Sequence, residues 1–185
     1  MMKTQIFTNA EAALLGLLSE KPMHPYQIEQ EVQYRDMRFW TELSMSSIYK
    51  LLRKLEGGGL VIKKVQKSPE NRLRKLYTIT PEGSERLKEK IRELLTQPGH
   101  TRWPVDIGTY NCSLLSSKEI REALHEYRLA LREKITGYRK LQDFLLETGC
   151  PQHRLAVATR PVYLLEAEIS WVNSFLKLLN NRPAE

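Results

Sequence analysis

Apolar residues recur along this chain at two different periods, and the switch between them marks out its parts. Ala12, Leu14, Leu15, Leu17 and Leu18 predict a first helix, with Thr8 or Asn9 as its cap. Lys21-Pro22 stops it. His24-Pro25 opens a second helix with proline in its first turn, where the missing N–H is no loss; its apolar residues are Tyr26, Ile28 and Val32. Phe39 to Leu43 is a connector, and Ser44 caps a third helix from Met45 to about Glu56. There Ile48, Leu51, Leu52 and Leu55 fall at i, i+3, i+4 and i+7, a single buried stripe. Gly57-Gly58-Gly59 ends it, since glycine accepts the left-handed conformation without steric cost.

The period then drops to two. Leu60 to Gln66 predicts a strand, Ser68-Pro69-Glu70-Asn71 a turn, and Leu73 to Ile79 the returning strand with Leu73, Tyr77 and Ile79 on one face. Thr80-Pro81-Glu82-Gly83 starts a fourth helix that runs through Leu87, Ile91, Leu94 and Leu95 to Gln97-Pro98-Gly99. A less regular connector, 98–115, contains Trp103-Pro104. Ser116 with Glu119 is a capping box. Behind it Ile120, Leu124, Tyr127, Leu131, Tyr138, Leu141 and Leu145 step at heptad-like spacing, and Gly149-Cys150-Pro151 ends that helix. The last helix carries Val162, Leu165, Ile169, Val172, Leu176 and Leu179 on one face, and Leu164, Trp171, Phe175 and Leu178 on a second. Pro161 either kinks it or begins its main segment. The expected fold is therefore mainly α with a small β-hairpin. Residues 1–97 form a winged helix-turn-helix, 98–115 the connector, and 116–185 a helical domain.

The chain has 185 residues, 41% apolar and 28% charged, an ordinary composition with enough leucine, isoleucine and valine to build cores. The net charge of +7 changes the picture only once it is located. Residues 44–79 hold nine basic side chains against two acids, and the other 149 residues balance at twenty against twenty. A polyanionic partner follows, and a uniformly cationic surface is excluded. With its apolar stripe buried, the third helix turns Ser46, Ser47, Tyr49, Lys50, Arg53 and Lys54 outward. The small hydroxyls allow close approach, and Lys50 and Arg53 are the candidates for base edges or phosphates. The hairpin adds Lys63, Lys64, Lys67, Arg72, Arg74 and Lys75, suited to backbone contact beside the reading helix. Alone, a basic hairpin is more often a solvated edge guarded against aggregation. Two basic stretches, consecutive in the one element order that puts them on a shared face, point to double-stranded DNA.

The strings Leu14-Leu15-Gly16-Leu17-Leu18, His24-Pro25-Tyr26-Gln27-Ile28, Ser47-Ile48-Tyr49, Leu52-Arg53-Lys54-Leu55-Glu56, Gly59-Leu60-Val61 and Arg74 to Gly83 together resemble the PadR family of bacterial transcriptional regulators, over about residues 12–84. The helical remainder resembles the longer PadR subfamily in length and pattern. The resemblance implies a homodimeric repressor on a pseudo-palindromic DNA operator, released by a small aromatic or phenolic effector. It places Ser47, Tyr49, Arg74 and Lys75 at positions that face DNA, and Tyr26 at the aromatic that opens the second helix. His24-Pro25 and Lys50 depart from the family pattern, so the operator sequence does not transfer.

The two-faced last helix favours dimerisation, with Leu124, Leu131, Ile169, Val172 and Leu176 as the expected interface; the alternative is that the two long helices pack only on each other. Most aromatics of this half are expected in its core, while Trp103, Tyr127, Tyr163 and Trp171 are candidates for an effector pocket. An enzyme is not expected: there is no G-x-S-x-G, P-loop or G-x-G-x-x-G motif. The four histidines lack ligand spacing with Cys112 and Cys150, so neither metal nor cofactor is expected. Met1-Met2-Lys3-Thr4 is followed too soon by Glu11 for a secretory signal, no stretch is apolar enough to span a membrane, and the unpaired cysteines suit a reduced, cytoplasmic protein. The competing reading is a winged-helix module for protein–protein contact without DNA binding, against which the localised charge argues.

Overall fold

Thr8 starts the first helix by a reciprocal cap. Its hydroxyl accepts the Glu11 N–H at 3.2 Å, and the Glu11 carboxylate accepts the Thr8 N–H at 2.8 Å. The computed structural model describes residues 7–67 and 73–180. The predicted turn 68–71, Arg72 and the N-terminal residues Met1 to Thr4 lie outside the described residues. The chain divides into two units, Met1–His100 and Thr101–Glu185.

In the first unit α1 (Asn9–Glu20) buries Ala12, Leu14, Leu15, Leu17 and Leu18, which at 3.6 residues per turn cover well over half its circumference. Such a helix must be surrounded, and α2 (Pro25–Tyr34), α3 (Met45–Gly57), the second hairpin strand and α4 (Pro81–Thr96) all pack on it. From α2 come Ile28 and Val32; from α3, Ile48, Leu52 and Leu55, with Leu51 half-buried beside them. Tyr26, grouped with the apolar residues of α2 in the sequence, instead faces outward. Between α2 and α3 a 3-10 turn, Met37–Phe39, follows Asp36 at φ +48°, a left-handed conformation that Asp tolerates better than most residues.

Helix α3 ends in a Schellman turn: Leu60 N–H reaches Leu55 O at 2.9 Å, Gly59 N–H reaches Glu56 O at 3.0 Å, and Gly59 takes φ +73°. Leu60 is thus committed to the helix end, so strand β1 starts one residue later than its apolar pattern suggests. β1 (Val61–Lys67) pairs antiparallel with β2 (Leu73–Ile79), Val61 opposite Ile79 and Lys67 opposite Leu73. Only the base of the hairpin is covered, at Val61 and Tyr77; Leu73 lies too far out to reach the core and is 71% exposed. Met23 adds a short third bridge, exchanging both backbone hydrogen bonds with Tyr77 at 3.0 Å.

The start of α4 locks onto the same corner. Thr80 N–H donates to Leu60 O at 3.0 Å, the Thr80 hydroxyl donates to Gly59 O at 2.8 Å, and it accepts Gly83 N–H at 3.0 Å. A Cβ on Gly83 would lie 2.1 Å from Leu60 O, so only glycine lets this turn close. The far end of α4 is bare, with Leu95 82% exposed.

In the second unit the segment expected as irregular contains α5 (Pro104–Tyr110) and a 3-10 turn, Cys112–Leu114. The Ser116–Glu119 capping box opens α6 (Ser117–Glu147) as its sequence predicts. Gly149 at φ +68° ends it through Cys150 N–H to Leu145 O at 2.9 Å. α7 (Gln152–Asn180) runs continuously through Pro161, which is an interior residue and not a start. One backbone hydrogen bond is lost there, and the Gln142 side chain of α6 donates to the nearby Ala158 O at 3.0 Å. Ile120, Leu124 and Leu131 of α6 meet Val172 and Leu176 of α7 in one core, with Ile169, Tyr127, Trp171 and Phe175 packed against it.

Gly83→Ala is expected to lower stability by about 3 kcal/mol through that clash, whereas Gly137→Ala, mid-helix in α6 with open space around it, should raise it by about 0.5–1 kcal/mol. Chemical denaturation reads both; equal effects of the two substitutions would contradict the packing described.

Candidate nucleic-acid interface

The cations of residues 44–79 do not all point the same way. Ser44 and Ser47 cap α3 reciprocally: Ser44 N–H donates to Ser47 Oγ at 2.7 Å, and Ser47 N–H to Ser44 Oγ at 3.2 Å. With Ile48, Leu52 and Leu55 inward, Ser46, Tyr49, Lys50 and Arg53 are exposed, and Ser47 is half-exposed. Arg53 is steadied by Nε donating to Tyr49 O at 3.4 Å.

Lys54 departs from its expected outward role. Its ammonium pairs at 2.9 Å with Glu11, whose carboxylate is almost wholly buried by α1 and already caps Thr8. An uncompensated carboxylate there would be costly, so the lysine turns inward. Lys63 is similarly engaged, 2.7 Å from Glu56 of α3; that contact holds its ammonium pKa above the usual lysine value. The remaining hairpin cations separate by register. Lys64 lies opposite Leu76, Gln66 opposite Arg74, Val65 opposite Lys75, and Lys67 opposite Leu73, so no two of these cations oppose each other directly.

Where the hairpin meets α2 and α3, an open groove of about 570 Å³ is lined by His24, Pro25, Tyr26, Tyr49, Leu73, Arg74 and Lys75. Four residues expected at the interface from sequence, Tyr26, Tyr49, Arg74 and Lys75, therefore converge on one place. The Arg74 guanidinium stands 5.9 Å from the Tyr26 ring centre, a cation–π contact. The His24 ring stacks on Tyr26 at 6.0 Å, and its Nδ1 lies 2.9 Å from Lys75 O. Sequence reasoning did not include His24; its place two residues before Tyr26 was the available signal. Tyr77 beneath the groove has its phenol pKa raised, first by burial and then by Glu56. Among the described residues no carboxylate lines this groove, whereas Glu82, Glu85 and Glu89 line a separate depression beside α1 and α4.

In the second unit the expected dimer residues are placed differently from the expectation. Leu124, Leu131, Val172 and Leu176 are buried, with Ile169 beside them, in the α6–α7 seam of the same chain, because two long antiparallel helices satisfy each other's apolar stripe first. The four candidate effector residues do not share one environment. Trp103 and Tyr163 are exposed, while Tyr127 and Trp171 pack on the seam. Trp171 stacks on Phe175 at 5.8 Å. Tyr127 donates to Glu168 at 3.2 Å, and burial, with Glu168 second, pushes its phenol up to about 12, so it stays a proton donor. Among the described residues no group of His, Cys, Asp and Glu could hold a metal ion, Cys112 and Cys150 are free thiols, and no helix is long and apolar enough to cross a membrane.

Residues 14–89 match the profile of the transcriptional regulator PadR-like family. No curated protein matches the chain. Several solved structures share its fold. Bacillus subtilis PadR in complex with operator DNA superposes with a TM-score of 0.73 at 21% identity, over 91% of this chain and 98% of that one. The same regulator with p-coumaric acid gives 0.71 at 23%, over 93% and 96%. The Vibrio cholerae virulence activator AphA gives 0.65 at 21%, over 93% and 98%.

Lys54→Met should lower stability by about 1–3 kcal/mol by stranding Glu11, and adding Glu11→Gln should recover part of the loss. Thermal unfolding of the single and double variants checks this; a Lys54→Met protein as stable as wild type would show that the pair holds nothing in place.

Proposed function

We propose, on the premise that residues 14–89 are a domain of the PadR-like transcriptional regulator family, that this chain is a sequence-specific DNA-binding regulator acting as a homodimeric repressor. One observation carries the reading: the exposed face of α3, with Ser46, Tyr49, Lys50 and Arg53, adjoins a groove of Tyr26, Arg74 and Lys75 that no carboxylate lines among the described residues. α3 enters the major groove with its first turns leading, and Lys50 and Arg53 meet base edges. Arg74, Lys75, Lys64 and Lys67 meet phosphates on either side. Lys54 is outside the contact set because Glu11 holds it. The operator complex of B. subtilis PadR supports a DNA partner for this fold.

The homodimer is proposed on a surface other than the seam. On α7, Leu164, Trp171 and Leu178 recur every seven residues beside the buried stripe; Trp171 also packs on the seam, while Leu164 is 40% and Leu178 65% exposed. A second copy covers this row, and two half-sites about 34–36 Å apart are then read together. Release by a small aromatic acid is supported by the p-coumaric acid complex of the B. subtilis regulator, with Trp103, Tyr127, Tyr163 and Trp171 as the residues to examine.

Fluorescence anisotropy against promoter duplexes tests the DNA reading. The logarithm of affinity should fall linearly with the logarithm of salt, about 0.9 per neutralised phosphate. Arg53→Ala should cost about 1–3 kcal/mol on the specific site alone, and Arg74→Ala should weaken all duplexes alike. A combined Arg53, Arg74 and Lys75 alanine variant that binds as wild type would refute the face. Sedimentation tests the dimer: wild type should run as a dimer and Leu164→Glu with Leu178→Glu as a folded monomer. A variant that remains dimeric would move the interface elsewhere.

A further inference from the structure

His24 sits at the rim of the groove where the hairpin joins α2, with no role in the core. Its Nδ1 lies 2.9 Å from the carbonyl oxygen of Lys75. A carbonyl only accepts, so this hydrogen bond needs its proton on Nδ1 and leaves Nε2 as the ring nitrogen not committed to Lys75. His24 also donates its backbone N–H to Gln27 Oε1 at 2.9 Å, so the residue is anchored to α2 as well as to β2. The ring is held in orientation from two sides, by the Nδ1 bond and by the stack on Tyr26, whose ring also meets Arg74. Among the described residues the charged and titratable groups lining the groove with it are Tyr26 on α2, Tyr49 on α3, and Arg74 and Lys75 on β2. A further proton on Nε2 would make the ring a third cation beside Arg74 and Lys75, and only an anion in the groove would favour it.

We propose that His24 is a further ligand for the DNA backbone, donating from Nε2 to a phosphodiester oxygen and taking up a proton when the duplex binds. The proposal rests on the reading of this face as the DNA-contact surface. It explains why an oriented imidazole stands at the edge of a groove that no carboxylate lines among the described residues. Nε2–H to phosphate is a charge-assisted hydrogen bond, stronger than one between neutral groups. Binding then carries a proton with it, so affinity rises as pH falls through the histidine range. The contact is to the backbone and is therefore independent of sequence, which lets any duplex serve as the probe.

The test uses the full chain and a mixed-sequence duplex of about 30 base pairs at low salt, long enough for a full set of phosphate contacts. Wild type should bind about fivefold more tightly near pH 6 than near pH 8, as expected when one imidazole gains a proton on binding. His24→Asn keeps an N–H for Lys75 O and a good helix cap but has no Nε2; it should keep the wild-type melting temperature and lose the pH-dependent gain. His24→Gln should lose it too, should the asparagine variant fail to fold. Imidazole nitrogen resonances of labelled protein should show Nε2 of His24 becoming protonated on adding duplex near neutral pH. A pH dependence unchanged in the variants, or a wild type whose affinity does not vary with pH, would overturn the proposal while leaving the DNA face intact. A wild type with no salt-dependent affinity for any duplex would overturn both.

Discussion

The burial of α1 sets the rest of the first unit. A helix apolar over most of its circumference must be wrapped, and the wrapping fixes the rotation of α3 about its own axis. Ile48, Leu52 and Leu55 face α1, so Ser46, Tyr49, Lys50 and Arg53 have only solvent or a partner to face. The buried Glu11 refines this rotation from the same helix: it caps Thr8 and draws Lys54 inward. The chemistry of the outer face is thus a consequence of what the core takes.

The second constraint is the corner where α3, β1 and α4 meet. Leu60 closes α3 through its N–H and receives Thr80 N–H through its carbonyl, and Gly83 packs against that carbonyl. Because three elements share one residue, the base of the hairpin is fixed while its outer half extends past the core. Met23 pins β2 at Tyr77, and His24 follows it onto Lys75. A basic hairpin held this way presents Arg74 and Lys75 next to Tyr26 and Tyr49 rather than swinging free.

Much of this is legible in the sequence. Capping residues, the glycine stops at 57–59 and 149, the change of period after α3 to within one residue, and the location of the surplus charge all follow from local chemistry. What the sequence conceals is partnership across distance. Lys54 has the spacing of an outward cation, and only the burial of Glu11 43 positions earlier turns it inward. Leu124 and Leu176 read equally well as an interface between copies or as an internal seam, because an apolar stripe does not say which helix covers it. Tyr26 counts with the apolar residues of α2 by hydrophobicity, and only the family resemblance separates it from them; the rotation of α2 places it outward. His24 is legible as the opener of α2 but not as a groove residue, because Lys75, which fixes its ring, lies 51 positions later.

Hydrogen–deuterium exchange of the full chain, with and without a bound promoter duplex, tests most directly whether the rotation of α3 on α1 creates the DNA face. Protection should appear from Ser44 through Arg53 and along β1 and β2, with α6 and the bare end of α4 unchanged. Protection confined to α6 and α7, or none in α3 under conditions where the duplex is bound, would contradict the account.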